Sequence, residues 1–213
     1  MQLSAATVYV VDDDPELRQT YRLLMESARL PARAYASPAE FLSDYDPAQP
    51  GCLLLDLNMP GMSALELIQG PRSQGVTMPM LVVTGHGDVA SAVESMKQGV
   101  VDCLEKPVDP DQLISKIRDA LHLDAILRRE YGEKHDIGLR LKHLTAREQQ
   151  VVRLLIAGKS NKQIAFDLGV SLRTAINHRA HIMAKMRPTN AADLTRMCML
   201  AGFAPAPDLH SHK

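Results

Sequence analysis

The sequence predicts a doubly wound parallel α/β domain followed by a small all-α domain. Three observations lead there. Short runs of mostly apolar residues at 8–11, 52–55, 80–83 and 101–104 do not alternate with polar ones, as suits strands covered by helices on both faces. Amphipathic stretches at 15–28, 38–45, 64–69, 89–98 and 111–121 separate them, giving a strand–helix rhythm with right-handed crossovers. Charge also divides the chain: 9 Lys and Arg stand against 17 Asp and Glu over residues 1–123, and 15 against 8 over 124–213, a net −8 and +7.

Each strand-like run ends in a reactive polar group. Asp12 and Asp13 close Val8-Tyr9-Val10-Val11, Asp56 closes Cys52-Leu53-Leu54-Leu55, Thr84 closes Met80-Leu81-Val82-Val83, and Lys106 follows Val101-Asp102-Cys103-Leu104. The carboxyl edge of an open α/β sheet is where ligands bind. Carboxylates gathered there repel one another by about 4 kcal/mol per pair at ~4 Å and an effective dielectric of ~20. A hard cation with oxygen ligands relieves that repulsion, which points to Mg²⁺. An aspartate can act as nucleophile towards phosphorus, and the transferred group then needs charge neutralisation from metal, lysine and hydroxyl. Asp14, just before the first helical stretch, is expected to cap it.

The basic half begins after a join. Residues 124–142 read as a partly helical linker, its middle made flexible by Gly132 and Gly138. From 143 to 204 a run of short helices follows. Thr145 with Glu148 makes a capping-box signature, Gly158 ends that helix, Ser160 or Asn161 starts the next, and Gly169 closes it. Ser171 caps a third helix to about Met186, with Ile176, Ile182, Met183 and Met186 at helical spacing, and a fourth runs from Asn190 to Leu200. Two short helices joined by a tight Gly-containing turn form a helix-turn-helix, whose second helix can enter the major groove of DNA. Residues 205–213, with His210 and His212, read as a disordered tail. No apolar stretch approaches the ~20 residues that span a bilayer. Residues 1–7 are too short and uncharged for a signal peptide, and three cysteines without metal spacing suit a reducing cytoplasm.

Val-Asp-Asp-Asp-Pro at 11–15, Leu-Asp-Leu-Asn-Met-Pro-Gly at 55–61, Thr-Gly-His-Gly at 84–87 and Glu-Lys-Pro at 105–107 resemble a two-component receiver domain. The resemblance implies a five-stranded, flavodoxin-like sheet over about residues 6–123. It makes Asp56 the phosphoacceptor, with Asp12, Asp13, Asp56 and the Asn58 carbonyl holding Mg²⁺. Thr84 would bond the phosphoryl oxygen, Lys106 would pair with phosphate, and the Lys106–Pro107 bond would be cis. One departure matters. Cys103 and Val100 stand where such domains commonly carry an aromatic and an alanine, so switching is expected to rely on Thr84 and the following loop. Gly85 should leave the site open to water, and His86 and Asn58 lie close enough to influence phosphate lifetime.

Leu-Thr-Ala-Arg-Glu at 144–148, Gly-Lys-Ser-Asn-Lys-Gln-Ile-Ala at 158–165 and Ser-Leu-Arg-Thr at 171–174 resemble the DNA-binding domain of LuxR-type regulators, extended by His178-Arg179 and Met183-Ala184-Lys185-Met186. The whole chain therefore resembles the NarL/FixJ class of response regulators, FixJ-like branch. DNA contacts are expected from Lys159, Lys162, Arg173, Thr174, Asn177, His178 and Arg179. Ile176 could meet a thymine methyl or pack in the core, and packing is preferred. The resemblance implies a sensor histidine kinase, double-stranded DNA, a homodimer on phosphorylation and RNA polymerase as partners. The expected function is phosphate-controlled transcription regulation, most simply activation, with no turnover of an external substrate. The competing readings are a constitutive DNA-binding protein whose non-switching receiver serves dimerisation, and a phosphotransferase acting on small molecules.

Overall fold

A computed structural model describes residues 6–60, 64–85, 96–97 and 99–205. The chain divides into two units, Met1–Arg128 and Arg129–Lys213. In the first, strands β1 (Thr7–Val11), β2 (Ala32–Tyr35), β3 (Gly51–Asp56), β4 (Met80–Thr84) and β5 (Asp102–Glu105) form one parallel sheet in the order β2-β1-β3-β4-β5. Helices α1 (Pro15–Ser27), α2 (Pro38–Asp44), α3 (Ala64–Ser73) and the start of α4 (Pro110–Lys142) surround it.

The unbroken apolar runs have a simple cause. Val8, Val10, Cys52, Leu54, Leu81 and Val83 pack on one face with Tyr21 and Met25 of α1 and Leu113 and Ile117 of α4. Their neighbours Tyr9, Val11, Leu53, Leu55, Met80 and Val82 pack on the other with Phe41 of α2 and Ile68 of α3. Successive strand residues point to opposite faces, so a sheet covered twice needs apolar residues at every position. Asp14 caps α1 as expected, accepting from the backbone N–H groups of Glu16 and Leu17. The helix expected at 89–98 lies outside the described residues except for 96–97, which are helical, and His86, His210, His212 and the rest of the tail from 206 lie outside them too.

The linker differs from its expectation. Residues 124–142 are helical throughout, as part of α4, and Gly132 and Gly138 do not interrupt it. A glycine inside a helix costs about 1 kcal/mol. Burial of Ile137 and Leu141 in the second unit's core outweighs that cost. The second unit continues with α5 (Ala146–Ile156), α6 (Asn161–Leu168), α7 (Leu172–Met186) and α8 (Ala191–Leu200). Thr145 and Glu148 form the expected capping box, Ser160 and Gln163 form another, and Gly169 closes α6 in the left-handed conformation. Val151, Val152, Ile164, Ala175, Ile182 and Met186 make up the centre of its core. No helix among the described residues is long and apolar enough to cross a membrane.

Candidate functional site

The strand order reverses direction between β1 and β3, and that switch point is where the acidic residues meet. Asp12 follows β1 and Asp56 ends β3, with Val11 opposite Leu55 in the ladder. Asp12 is 1% exposed and Asp56 5%, while Asp13 stands in solvent. Ligand oxygens of Asp12, Asp13 and Asp56 lie within 4.8 Å of one another. Lys106, after β5, donates from Nζ to Asp56 Oδ2 at 2.9 Å and to Asp12 Oδ2 at 3.4 Å. Its backbone N–H reaches Thr84 O at 2.8 Å, fixing the loop after β5 to the end of β4, and the Lys106–Pro107 bond is cis.

Electrostatics follow from burial. Desolvation raises the Asp12 pKa against the opposing pull of the Asp14 N–H and the Lys106 ammonium. For Lys106 burial works against the charge, but the hydrogen bond and charge of Asp56, helped by Asp12, hold its pKa above the ordinary value. A compact set of carboxylate oxygens suits a hard divalent cation.

Thr84 carries the most telling atom. Its side chain is 4% exposed, and Oγ1 is buried without a hydrogen-bond partner among the described residues. A buried hydroxyl left unpaired costs roughly 1–3 kcal/mol, and native proteins leave few of them. The N–H of Asn58 donates to Asp56 Oδ1 at 3.0 Å, orienting the carboxylate. The Asn58 carboxamide lies over Gly85, where a Cβ would stand 2.6 Å from Nδ2. Cys103 is half-buried against the cluster that holds Val100, as a small apolar side chain would be.

The helix-turn-helix surface is organised differently. Residues on α7 are rotated by about 100° from one to the next. Ala175, Ile182 and Met186 face the core, so Arg173, Asn177, Ala180, His181 and Ala184 point outward. Ile176 is 46% exposed, which corrects the expectation that it packs in the core. Its spacing from Ile182 suggested one apolar face, but Ala175 is the residue that turns inward. Thr174 is half-buried and engaged with the cap, Oγ1 lying 2.8 Å from Ser171 Oγ. His178 and Arg179 are also half-buried, and Arg179 donates to Asn161 Oδ1 at 3.3 Å. Arg179, Lys159 and Thr195 line a cavity of about 220 Å³ with an apolar floor of Leu155, Met183 and Leu194. Lys162 is exposed on α6. Thus Arg173, Asn177 and Lys162 of the expected DNA contacts are fully presented, and His181, missed in the sequence, shares the outer face of α7. Counting helical steps from the Ser171 cap would have found it.

Fold and site together define a receiver domain joined to a helix-turn-helix module. Residues 8–118 match the family of the response regulator receiver domain, and 142–198 match bacterial regulatory proteins of the luxR family. The transcriptional regulatory protein FixJ of Azorhizobium caulinodans is 42% identical over 201 residues, covering 94% of this chain and 95% of its own length. FixJ of Rhizobium meliloti is 37% identical, covering 94% and 98%. Among solved structures, the response regulator StyR aligns with a TM-score of 0.80 at 37% identity, over 92% of this chain and 98% of its own. Full-length FixJ from B. japonicum aligns at 0.57 and 38% identity, over 92% and 97%. The chain belongs to the NarL/FixJ class of two-component, DNA-binding response regulators.

Proposed function

We propose that Asp56 accepts a phosphoryl group from a sensor histidine kinase and that this modification controls DNA binding by residues 143–204. The observation that carries the reading is the buried hydroxyl of Thr84, unpartnered among the described residues, at the end of the strand next to the one that ends in Asp56, whose carboxylate is bonded to Lys106. Receivers as a family bind Mg²⁺ at an acidic pocket, and the donors here fit it. Asp12, Asp13, Asp56 and the Asn58 carbonyl would hold Mg²⁺, which supplies charge neutralisation for the transferred group. An Asp56 oxygen attacks phosphorus, the P–N bond of phosphohistidine breaks, and its electron pair stays on the imidazole nitrogen, which takes up a proton. Lys106 compensates the added negative charge, and Thr84 donates its hydroxyl to a phosphoryl oxygen. The phosphate is held rather than passed to an external substrate, so the protein is not a turnover enzyme.

The phosphorylated receiver then pairs with a second copy through the face that includes β5 and the start of α4. A two-fold dimer sets two α7 helices on half-sites about one DNA turn, ~34 Å, apart. Arg173 and Asn177 read base edges, while Lys159, Lys162 and Arg179 neutralise phosphates. The regulator works in the cytoplasm, activating transcription through RNA polymerase. The matched FixJ proteins, named transcriptional regulatory proteins, support a role in transcription regulation. The test measures DNA affinity and dimerisation at fixed salt, with and without acetyl phosphate and Mg²⁺. Affinity should rise with phosphate in the wild type and stay flat in Asp56→Asn; equal stimulation in both would remove Asp56 from its role. A second reading rests on Cys103: without an aromatic to swing, the receiver serves only for dimerisation. Tight binding indifferent to phosphate would favour it.

A further inference from the structure

We propose that Arg128 and Asp124 are positioning residues that tie the phosphoacceptor strand to the helix leading into the DNA-binding unit, an inference that rests on the phosphate-controlled reading above. The Asp124 carboxylate is 3% exposed, deep at the end of β3 opposite to Asp56. It accepts the N–H of Gly51, the first residue of β3, at 3.0 Å and Arg128 Nε at 2.7 Å. The rest of that guanidinium is spent on the segment entering the strand. Arg128 Nη1 donates to Pro47 O at 2.8 Å and Ala48 O at 3.2 Å, and Nη2 donates to Gln49 O at 2.5 Å.

These bonds do more than fasten a loop. Gly51 lies close against β1, where a Cβ would collide with Thr7 O, and the Thr7 N–H donates to Pro50 O at 3.0 Å. The entry to β3 is therefore held by β1 on one side and by Asp124 and Arg128 of α4 on the other. Asp56 sits six residues along the same strand, counting Gly51 as the first. Past Arg128, α4 continues to Lys142, and its Ile137 and Leu141 belong to the core of the second unit. One strand and one helix thus connect the modified carboxylate to the DNA-binding core; they share the apolar cluster of Cys52, Leu54, Leu113 and Ile117, and the clamp adds polar bonds at the strand's entry. A planar guanidinium with donors on three fixed nitrogens suits the task, since a lysine's three donors all leave one atom. Coupling of this kind requires that the joined element respond to the state of both ends.

The experiment uses the full chain, acetyl phosphate with Mg²⁺, and a duplex selected by the wild-type protein from a random-sequence pool. Arg128→Ala, Arg128→Lys and Asp124→Asn are compared with wild type in three readouts: phosphoryl uptake on Asp56, amide exchange over 124–132, and the ratio of DNA affinities with and without phosphate. Arg128→Ala should take up phosphate at the wild-type rate and exchange 124–132 at least ten-fold faster. Its affinity ratio should fall below a third of the wild-type value, with Arg128→Lys in between. Asp124→Asn keeps an acceptor for Gly51 and should also lower the ratio, which protects the test if Arg128→Ala folds poorly. A ratio that stays at the wild-type value in all three variants overturns the proposal, whether or not exchange rises. Absence of phosphate stimulation in the wild type would instead sink the phosphate-controlled reading itself.

Discussion

The two units build their working surfaces in opposite ways. In the receiver, groups from the ends of different strands meet within hydrogen-bonding distance, Lys106 reaching Asp56 and Asp12 across 50 and 94 residues of sequence. In the helix-turn-helix unit, the outward residues of α7 share one face of one helix and stand apart from each other. The first arrangement concentrates charge out of water, where small changes are felt strongly. The second leaves each residue solvated and answers mainly to its partner. Substitutions should therefore act on chemistry in one unit, and on either stability or affinity in the other according to helical phase.

Phase provides the largest expected effect. Ile182 is fully buried and Ile176 is 46% exposed. Ile182→Ala should cost about 2–5 kcal/mol of stability, whereas Ile176→Ala should stay within about 0.5 kcal/mol and weaken DNA binding instead. Denaturant melts and DNA titrations of both variants check this, and equal stability losses would return Ile176 to the core. In the receiver, Lys106→Ala should slow phosphoryl uptake from acetyl phosphate on the order of 100-fold, as loss of a preorganised charge does at other sites. Intact-mass kinetics measure it, and a change of only two- or three-fold would take the lysine out of the chemistry.

A smaller effect separates local from long-range anchoring. Glu148 is 4% exposed, caps α5 and meets Lys185 Nζ at 2.6 Å. Burial pushes its pKa up, but the Lys185 hydrogen bond and the Thr145 backbone and hydroxyl bonds hold it below the usual carboxylate value. A carboxyl lowered in the folded state adds stability above its unfolded pKa of about 4.3, and that stability is lost as pH falls through the lowered folded value. The second unit should therefore lose stability on acidification below about pH 4.3. Glu148→Gln should cost about 1–2 kcal/mol at neutral pH and flatten that dependence. Thermal melts between pH 3 and 6 test the slope. An unchanged slope in the variant would assign it to other carboxyls. The smallest change is Gly85→Ala: its methyl must displace the Asn58 carboxamide and narrow the approach of water. The phosphoryl half-life should lengthen a few-fold, and decay kinetics after removal of acetyl phosphate would show it.

What could be read from the sequence follows the same contrast. Asp12, Asp56, Thr84 and Lys106 were legible because each ends or follows a run whose apolar character announces a buried strand. β2 was not: Ala32-Arg33-Ala34-Tyr35 carries no such run, and it is an edge strand held by its ladder to β1. Arg33 and Tyr35 both bond Asp44 on its outer flank. Caps at Asp14, Thr145 and Ser171 were legible because they act within three residues. The clamp of Arg128 on residues 47–49 was not, since its partners lie about 80 positions away. Ile176 was misjudged because apolar spacing alone does not fix which of two adjacent helical lines faces the core.

The Thr84 hydroxyl, buried without a partner among the described residues, offers the most direct test of phosphoryl transfer to Asp56. A crystal structure of the protein with Mg²⁺ and beryllium trifluoride, which mimics a phosphoryl group on a carboxylate, would reveal its partner. The adduct should form on Asp56, with Thr84 Oγ1 and Lys106 Nζ each within about 3 Å of it. An adduct on another residue, or one on Asp56 that leaves Thr84 unengaged, would contradict that assignment.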